Sequence, residues 1–335
     1  MEHDNDTYDI HFAALFSTNP AAIPIMMLHG WPGSFLEFLP ILRLLASKHT
    51  PATLPYHIII PSLPGYALSS PPPPSKDFRL EDAASLLDTL MRRLSFSHPG
   101  YVVQGGDVGS KLARVLGGTP TTAALAIHLN FCIMPDPFPS RPLSSYPPEE
   151  RAGIARSQRF HSHGSAYALE QATRPATIGL VLSASPLALL AWIGEKFLEW
   201  SETPPPLHEI LSAASLYWLS NSASTSLWPY RQLFTPGTMG AHENPAWRIR
   251  AGRAFGFSWF PREIAPVPRE WAATAGELVW FRRHGRGGHF AALEEGEVLL
   301  GDLEGFVGEV WEGVVSAAAA GDDDADAGGR GGVEG

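Results

Sequence analysis

The sequence predicts an α/β fold: a mostly parallel sheet covered by helices on both faces, with a helical block inserted into it. Three observations predict it. Short apolar runs alternate with helical stretches from residue 9 to residue 130, as buried strands joined by helical crossovers do. The alternation stops in a proline-rich stretch, residues 135–148, and resumes with an apolar run at residues 254–260. Between those limits the signal is mostly helical, from residue 149 to about residue 246.

Residues 9–16 and 24–28 read as strands, the second running into His29-Gly30-Trp31-Pro32-Gly33-Ser34. Residues 35–46 are helical, residues 57–60 a short buried strand, and residues 80–94 an amphipathic helix. A strand from Tyr101 enters a turn crowded with glycine, and a helix over residues 111–116 leaves it. Residues 124–130 form another strand. In the inserted block Leu190, Ile193, Phe197 and Trp200 share one face of a helix over residues 187–200, and Pro204 to Pro206 break it from the next. Residues 277–281 are the last strand; Leu303, Phe306, Val310 and Val314 mark the last helix. The expected division is a first core segment (residues 1–135), a helical lid (136–246), a second core segment (247–315) and an acidic Gly/Ala/Asp tail (316–335) expected to be disordered.

With 335 residues, 44% of them hydrophobic and 17% charged, the chain is long enough for one large domain with an insertion. Of the net charge of −10, the last fifteen residues carry −4, and no Lys/Arg cluster stands out. Nucleic acid and anionic membrane are therefore poor partners. The single cysteine, Cys132, excludes an internal disulfide and suits a reducing compartment. The start is polar and acidic, unlike a signal peptide. The most apolar stretch, residues 177–194, is interrupted by serines and Pro186 and reads as buried helix rather than a membrane span. A cytoplasmic protein is expected.

The chemistry centres on Tyr101-Val102-Val103-Gln104-Gly105-Gly106-Asp107-Val108-Gly109-Ser110. Strand, sharp turn and helix, with small residues on both sides of the apex, are what a nucleophile elbow needs. The apex is Asp107, where an esterase would carry Ser. A carboxylate that attacks a saturated carbon makes an ester, which water can cleave, whereas a serine would make an inert ether. The elbow thus points to an epoxide or an alkyl halide. A glycine-rich turn with a solvent-facing Asp is the plainer alternative.

In such folds nucleophile, acid and histidine follow one another along the chain, each beyond a strand's carboxyl end. Asp107 follows the elbow strand, Glu263 follows residues 254–260, and His289 follows residues 277–281 through a glycine-rich loop. Asp136 competes for the acid and His284 for the histidine; His29 reads as a structural tie for its turn. The His-Gly-Trp-Pro turn offers a backbone N–H at Trp31 which, with that of Val108, would hold an oxyanion.

Together the segments HGWPGSFLEF, PSLPGY, GGDVGS, SAYALEQATRP, WPY, FPRE and GGHFAALE resemble the microsomal-type epoxide hydrolases, above all their fungal soluble members, over residues 9–315. The resemblance implies an α/β-hydrolase core with a helical lid, no cofactor and no metal, and epoxide and water as small-molecule partners, with a homodimer as a possible assembly. It implies Asp107 as nucleophile, His289 as base, Glu263 as its orienting acid, Trp31 and Val108 as oxyanion donors, and Tyr167 and Tyr230 as the phenols on the epoxide oxygen. Tyr217 and Tyr146 are the rival phenols. A haloalkane dehalogenase is the nearest alternative, although Val108 stands where those enzymes usually place a halide-holding Trp; a non-catalytic hydrolase-fold protein is the other. Family members usually carry a longer N-terminal segment than the 28 residues before His29, so the first core strand is expected to be missing or compressed into residues 2–8.

Overall fold

The computed structural model describes residues 1–4, 6–234 and 240–329. The chain opens with an antiparallel pair, β1 (Glu2–His3) and β2 (Asp6–Thr7), which bonds only within itself. Residues 2–8 therefore supply no strand to the main sheet. They are anchored instead by Tyr8, buried against Phe78, and by His3 at 3.0 Å from Asp82.

The main sheet holds β3 (Phe12–Leu15), β4 (Ile23–Leu28), β5 (Tyr56–Pro61), β6 (Tyr101–Gly105), β7 (Ala124–Leu129), β8 (Ala254–Trp259) and β9 (Leu278–Arg283). Their order is β3-β5-β4-β6-β7-β8-β9, parallel except for β3, which runs antiparallel to β5. Successive side chains of a strand point to opposite faces. In β4, Met26 and Leu28 join one core cluster while Ile25 and Met27 join the other. Both faces are covered, which is why the strands read as continuous apolar runs.

On one face lie α1 (Leu39–Lys48) and, from the chain's end, a long last helix; on the other lie α2 (Leu80–Arg93) and α3 (Asp107–Gly118). The helix expected over residues 35–46 is divided. A 3₁₀ turn, Phe35–Phe38, precedes α1 because Pro40 is tolerated in a first helical turn and not in an interior.

The insertion between β7 and β8 is helical and, among the described residues, holds no strand. It comprises α4 (Pro148–Arg159), α5 (Ala166–Thr173), α6 (Pro175–Ala184), α7 (Pro186–Trp200), α8 (Leu207–Leu219) and the short α9 (Tyr230–Leu233), with a π-helical turn at Phe160–Gly164. The apolar stretch read as one buried helix is two, α6 and α7, bent by 114°. Ser185 caps α7 by accepting the Ala188 N–H, and Pro186 cannot continue α6. The pair is only half buried: Leu180 and Leu187 are 72% and 73% exposed. Among the described residues no single helix is long and apolar enough to cross a membrane.

After β8 come α10 (Arg269–Ala272), β9, α11 (Ala291–Glu294) and α12 (Gly296–Gly329). The tail expected to be disordered from residue 316 continues α12 as far as Gly329. Its alanine run, residues 317–320, favours helix. Residues 330–335 lie outside the described residues. Two buried carboxylates lock the periphery of the sheet. Asp302 of α12 accepts from Ser258 at 2.5 Å and pairs with His284 at 2.6 Å, and Asp88 of α2 accepts from the Tyr101 hydroxyl at 2.7 Å.

From β4 the chain moves out to β5, then crosses back to β6 on β4's other side. The loops after β4 and β6 thus separate at the sheet's carboxyl edge, where open α/β sheets leave a crevice. His29 to Ser34 and Gly106 to Ser110 meet there.

Candidate active site

At the apex Asp107 is held at φ +42°, a left-handed conformation that few non-glycine residues adopt and that costs on the order of 1 kcal/mol. Glycines make room for it. A Cβ at Gly30 would lie 2.1 Å from Asp107 Oδ1, and one at Gly109 would lie 2.2 Å from the Leu28 carbonyl oxygen. No larger residue fits either place. The strand–turn–helix read from the sequence is thus a tight backbone knot with one carboxylate projecting from it.

That carboxylate has a different partner on each oxygen. Oδ1 accepts the Trp31 N–H at 2.8 Å, and Oδ2 lies 3.4 Å from His289 Nε2. Burial alone would raise the Asp107 pKa. The hydrogen bond and charge of His289, followed by the N–H groups of Trp31 and Val108, outweigh it and hold the carboxyl below its ordinary range.

His289 is buried, its ring edge-on to Phe131 and Trp200. Its Nδ1 lies 2.6 Å from Glu263 Oε1. Burial lowers the imidazolium, but the charge of Glu263 and the hydrogen bonds to Asp107 and Glu263 reverse the shift and push the pKa up to about 10. Glu263 is buried too, with Oε1 accepting the Ile264 N–H at 2.5 Å. Asp107, His289 and Glu263 therefore meet in one line of contacts. The competitors lie elsewhere: Asp136 is exposed and accepts the N–H of Phe138, and His284 is bound to Asp302. His29, expected to tie its turn, accepts the Leu63 N–H at 3.2 Å and stands 3.0 Å from the Gly30 carbonyl.

Two cavities border Asp107. One is lined by Asp107, Val108, Lys111, Tyr167, Tyr230 and His242 among others. Tyr167 comes from α5 and Tyr230 from α9, both buried. Trp31 stacks on Tyr167 with centroids 5.3 Å apart and meets Tyr230 edge-on at 5.7 Å, so both phenol rings are fixed by the indole beside Asp107. Burial, with the Asp107 charge adding to it, raises both phenols well above 10. They are proton donors throughout the neutral range. The rival tyrosines are engaged elsewhere: the Tyr217 hydroxyl donates to the Gly33 carbonyl, and that of Tyr146 accepts from Trp271.

The second cavity is lined by Trp31, Glu37, Asp107, Asn130 and His289 among others. Glu37 accepts the Ser34 N–H at 3.1 Å, completing a capping box for the turn at Phe35–Phe38. Burial pushes its carboxyl up to about 8, with Asp107 adding to the shift and His289 and the Ser34 N–H opposing it. The sequence reading missed Glu37. Its S-x-x-E spacing was visible, but a helix cap explains that spacing without any cavity. Lys111, on α3 and four residues after Asp107, was missed as well.

The α/β hydrolase fold profile matches residues 23–143, and the profile for the epoxide hydrolase N terminus matches residues 1–38. A Dothistroma septosporum protein named as an epoxide hydrolase is 44% identical over 307 residues, covering 90% of this chain and 70% of its own. Epoxide hydrolase 1 of Oryctolagus cuniculus is 31% identical over 321 residues, covering 86% and 68%. Among solved structures, the Aspergillus niger epoxide hydrolase is 50% identical with a TM-score of 0.86, covering 93% of this chain and 78% of its own.

Proposed function

The chain belongs to the epoxide hydrolases, and on that premise we propose that it makes its diol in two steps through a glycol ester on Asp107. In the first step Oδ2 of Asp107 attacks a ring carbon while Tyr167 and Tyr230 donate to the epoxide oxygen. The ring C–O bond breaks toward that oxygen, which takes a phenolic proton. Ester formation removes the Asp107 charge, one of the groups holding the His289 proton. The imidazolium then yields that proton to make good the one the phenol gave. In the second step a water loses a proton to the neutral Nε2 of His289 and adds to the ester carbon. The oxyanion develops on Oδ1, already aimed at the Trp31 N–H, with Val108 as the second donor. Collapse expels the diol oxygen, which takes the second water proton from the new Asp107 acid. The diol leaves, His289 is again an imidazolium, and Asp107 is again a carboxylate that keeps one oxygen from water.

Glu263 positions the imidazole, and the cavity bordered by Glu37, Asn130 and His289 gives the hydrolytic water a place. The observation that carries this reading is that Asp107 borders both cavities, one with two phenols and one with the imidazole. A dehalogenase would have no need of paired phenols, and Val108 offers a halide no N–H side chain. The helical insertion, residues 136–246, serves as the lid that brings the phenols to the core.

Single turnover in heavy-oxygen water tests the route. With enzyme in excess over styrene oxide, the first diol should contain no solvent oxygen, because both of its oxygens come from the epoxide and Asp107. Solvent oxygen in that diol would rule out the ester. Bromide release from 1-bromobutane would instead favour the dehalogenase.

We place the enzyme in the cytoplasm, where its one cysteine, buried Cys132, needs no partner. A homodimer belongs to the same reading. Sedimentation at the mass of one chain would refute it.

A further inference from the structure

Lys111 is 1% exposed, and its ammonium nitrogen has no hydrogen-bond partner among the described residues. Its Nζ lies over the face of Phe131, 4.6 Å from the ring centroid. It lines the cavity that holds Asp107, Tyr167 and Tyr230. His242, 4% exposed and lining the same cavity, also lacks a hydrogen-bond partner on either ring nitrogen among the described residues. Behind them Arg114, buried as well, donates to the His242 carbonyl oxygen at 3.2 Å and fixes the segment that carries the imidazole.

A fully buried ammonium has three donors to satisfy, and leaving them empty is costly. An aromatic face offsets part of that cost and supplies no acceptor. Burial, aided by the adjacent Arg114 guanidinium, lowers the Lys111 pKa to about 7 against the opposing pull of Cys132, Asp107 and Glu263. His242 is driven well below its ordinary value, first by burial and then by the charges of Lys111 and Arg114, so it faces the cavity as a neutral ring with one N–H to give. Both groups thus offer donors to the chamber where the proposed route places the epoxide. Lys111 and Asp107 line the same cavity, so an acceptor held by Lys111 stands near the carbon that Asp107 attacks.

Building on the reading of Asp107 as nucleophile, we propose that Lys111 and His242 form a carboxylate subsite, and that the preferred substrates are short epoxides carrying a carboxylate close to the oxirane ring. The ammonium takes one carboxylate oxygen and the imidazole N–H the other, which orients the oxirane between Asp107 and the phenols. Lys111 is thus a specificity residue that touches the substrate away from the reacting bonds.

The test compares 3,4-epoxybutanoate with 1,2-epoxybutane, which presents a terminal methyl in place of the carboxylate. Wild-type enzyme should favour the carboxylate in kcat/KM. Lys111→Met should cut the ratio of the two kcat/KM values by at least about tenfold, the worth of one charge-assisted hydrogen bond. The ratio is measured within one preparation and does not depend on how much of the variant folds. Butyrate supplies a readout that needs neither variant nor turnover: calorimetry should show it binding wild-type enzyme at least about tenfold more tightly than butyramide. An unchanged ratio, or equal binding of butyrate and butyramide, overturns the subsite and makes Lys111 an internal counter-charge. Wild-type hydrolysis of 1,2-epoxybutane separately tests the activity, so the two readings fail on different measurements.

Discussion

Replacing His289 by glutamine is expected to stop the enzyme after one chemical step, with the substrate left bound to the protein. Multiple turnover should fall by at least about 10⁴-fold, the scale of losing one member of a catalytic triad, while intact protein gains the mass of one epoxide at Asp107. The asymmetry follows from the contacts. On the proposed route alkylation needs the Asp107 carboxylate and the phenols, while His289 acts on it through charge and restores the phenolic proton afterwards. Hydrolysis needs a base within reach of the ester, and among the described residues Nε2 of His289, 3.4 Å from Oδ2, is the group so placed. The variant should also alkylate with a changed pH profile. His289 is the largest of the influences that hold the Asp107 carboxyl down against burial. Without it that pKa rises, so alkylation should be slowed at acid pH and recover as pH increases. In the wild type the acid limb should belong to ester hydrolysis, because His289 accepts a proton only when neutral. Rapid quench with mass spectrometry separates the steps. A variant that turns over without accumulating adduct would show that the water is activated by something else.

The same pairing has a stability signature. The folded pKa of His289, about 10, stands above the ordinary 6.5. Its contribution is therefore complete below 6.5 and is lost as pH rises through 10. Asp107, with its folded pKa lowered, contributes above its ordinary 3.8 and loses that contribution as pH falls.

What the sequence revealed of this site and what it hid have a common cause. Asp107, Glu263 and His289 were legible because local backbone geometry leaves a local signature: glycines where a Cβ would strike a neighbour, and a strand end before each residue. The lid gave no comparable signal. Tyr167 sits on α5 and Tyr230 opens α9, and nothing in the spacing of either separates a phenol aimed at a substrate from one packed in a core. The family resemblance alone singled them out. Lys111 was hidden because a lysine on a helix ordinarily faces water. The sign that could have found it is its place four residues after the nucleophile, in the first turns of the helix that the elbow opens.

Removing both lid hydroxyls is expected to cost far more than removing either. Tyr167→Phe or Tyr230→Phe should each slow alkylation by about 10²-fold, the usual worth of one preorganised donor. The double variant should lose more than about 10⁴-fold. A single variant still offers the epoxide oxygen one phenol, and the stacked Trp31 ring still sets its direction. In the double variant an alkoxide would have to form in a buried cavity with no phenolic donor. The fold should survive, because phenylalanine keeps the ring contacts with Trp31 and the contact between Lys196 Nζ and the Tyr167 face at 4.6 Å. Both phenols are raised well above 10, so the wild-type alkylation rate should stay level from neutral pH to about pH 9 rather than fall as an ordinary phenol begins to ionise. Stopped-flow measurement of the Trp fluorescence change on adduct formation supplies the rate directly. A double variant that alkylates within tenfold of the wild type would remove the phenols from the mechanism and leave Lys111 as the next proton donor in the same cavity.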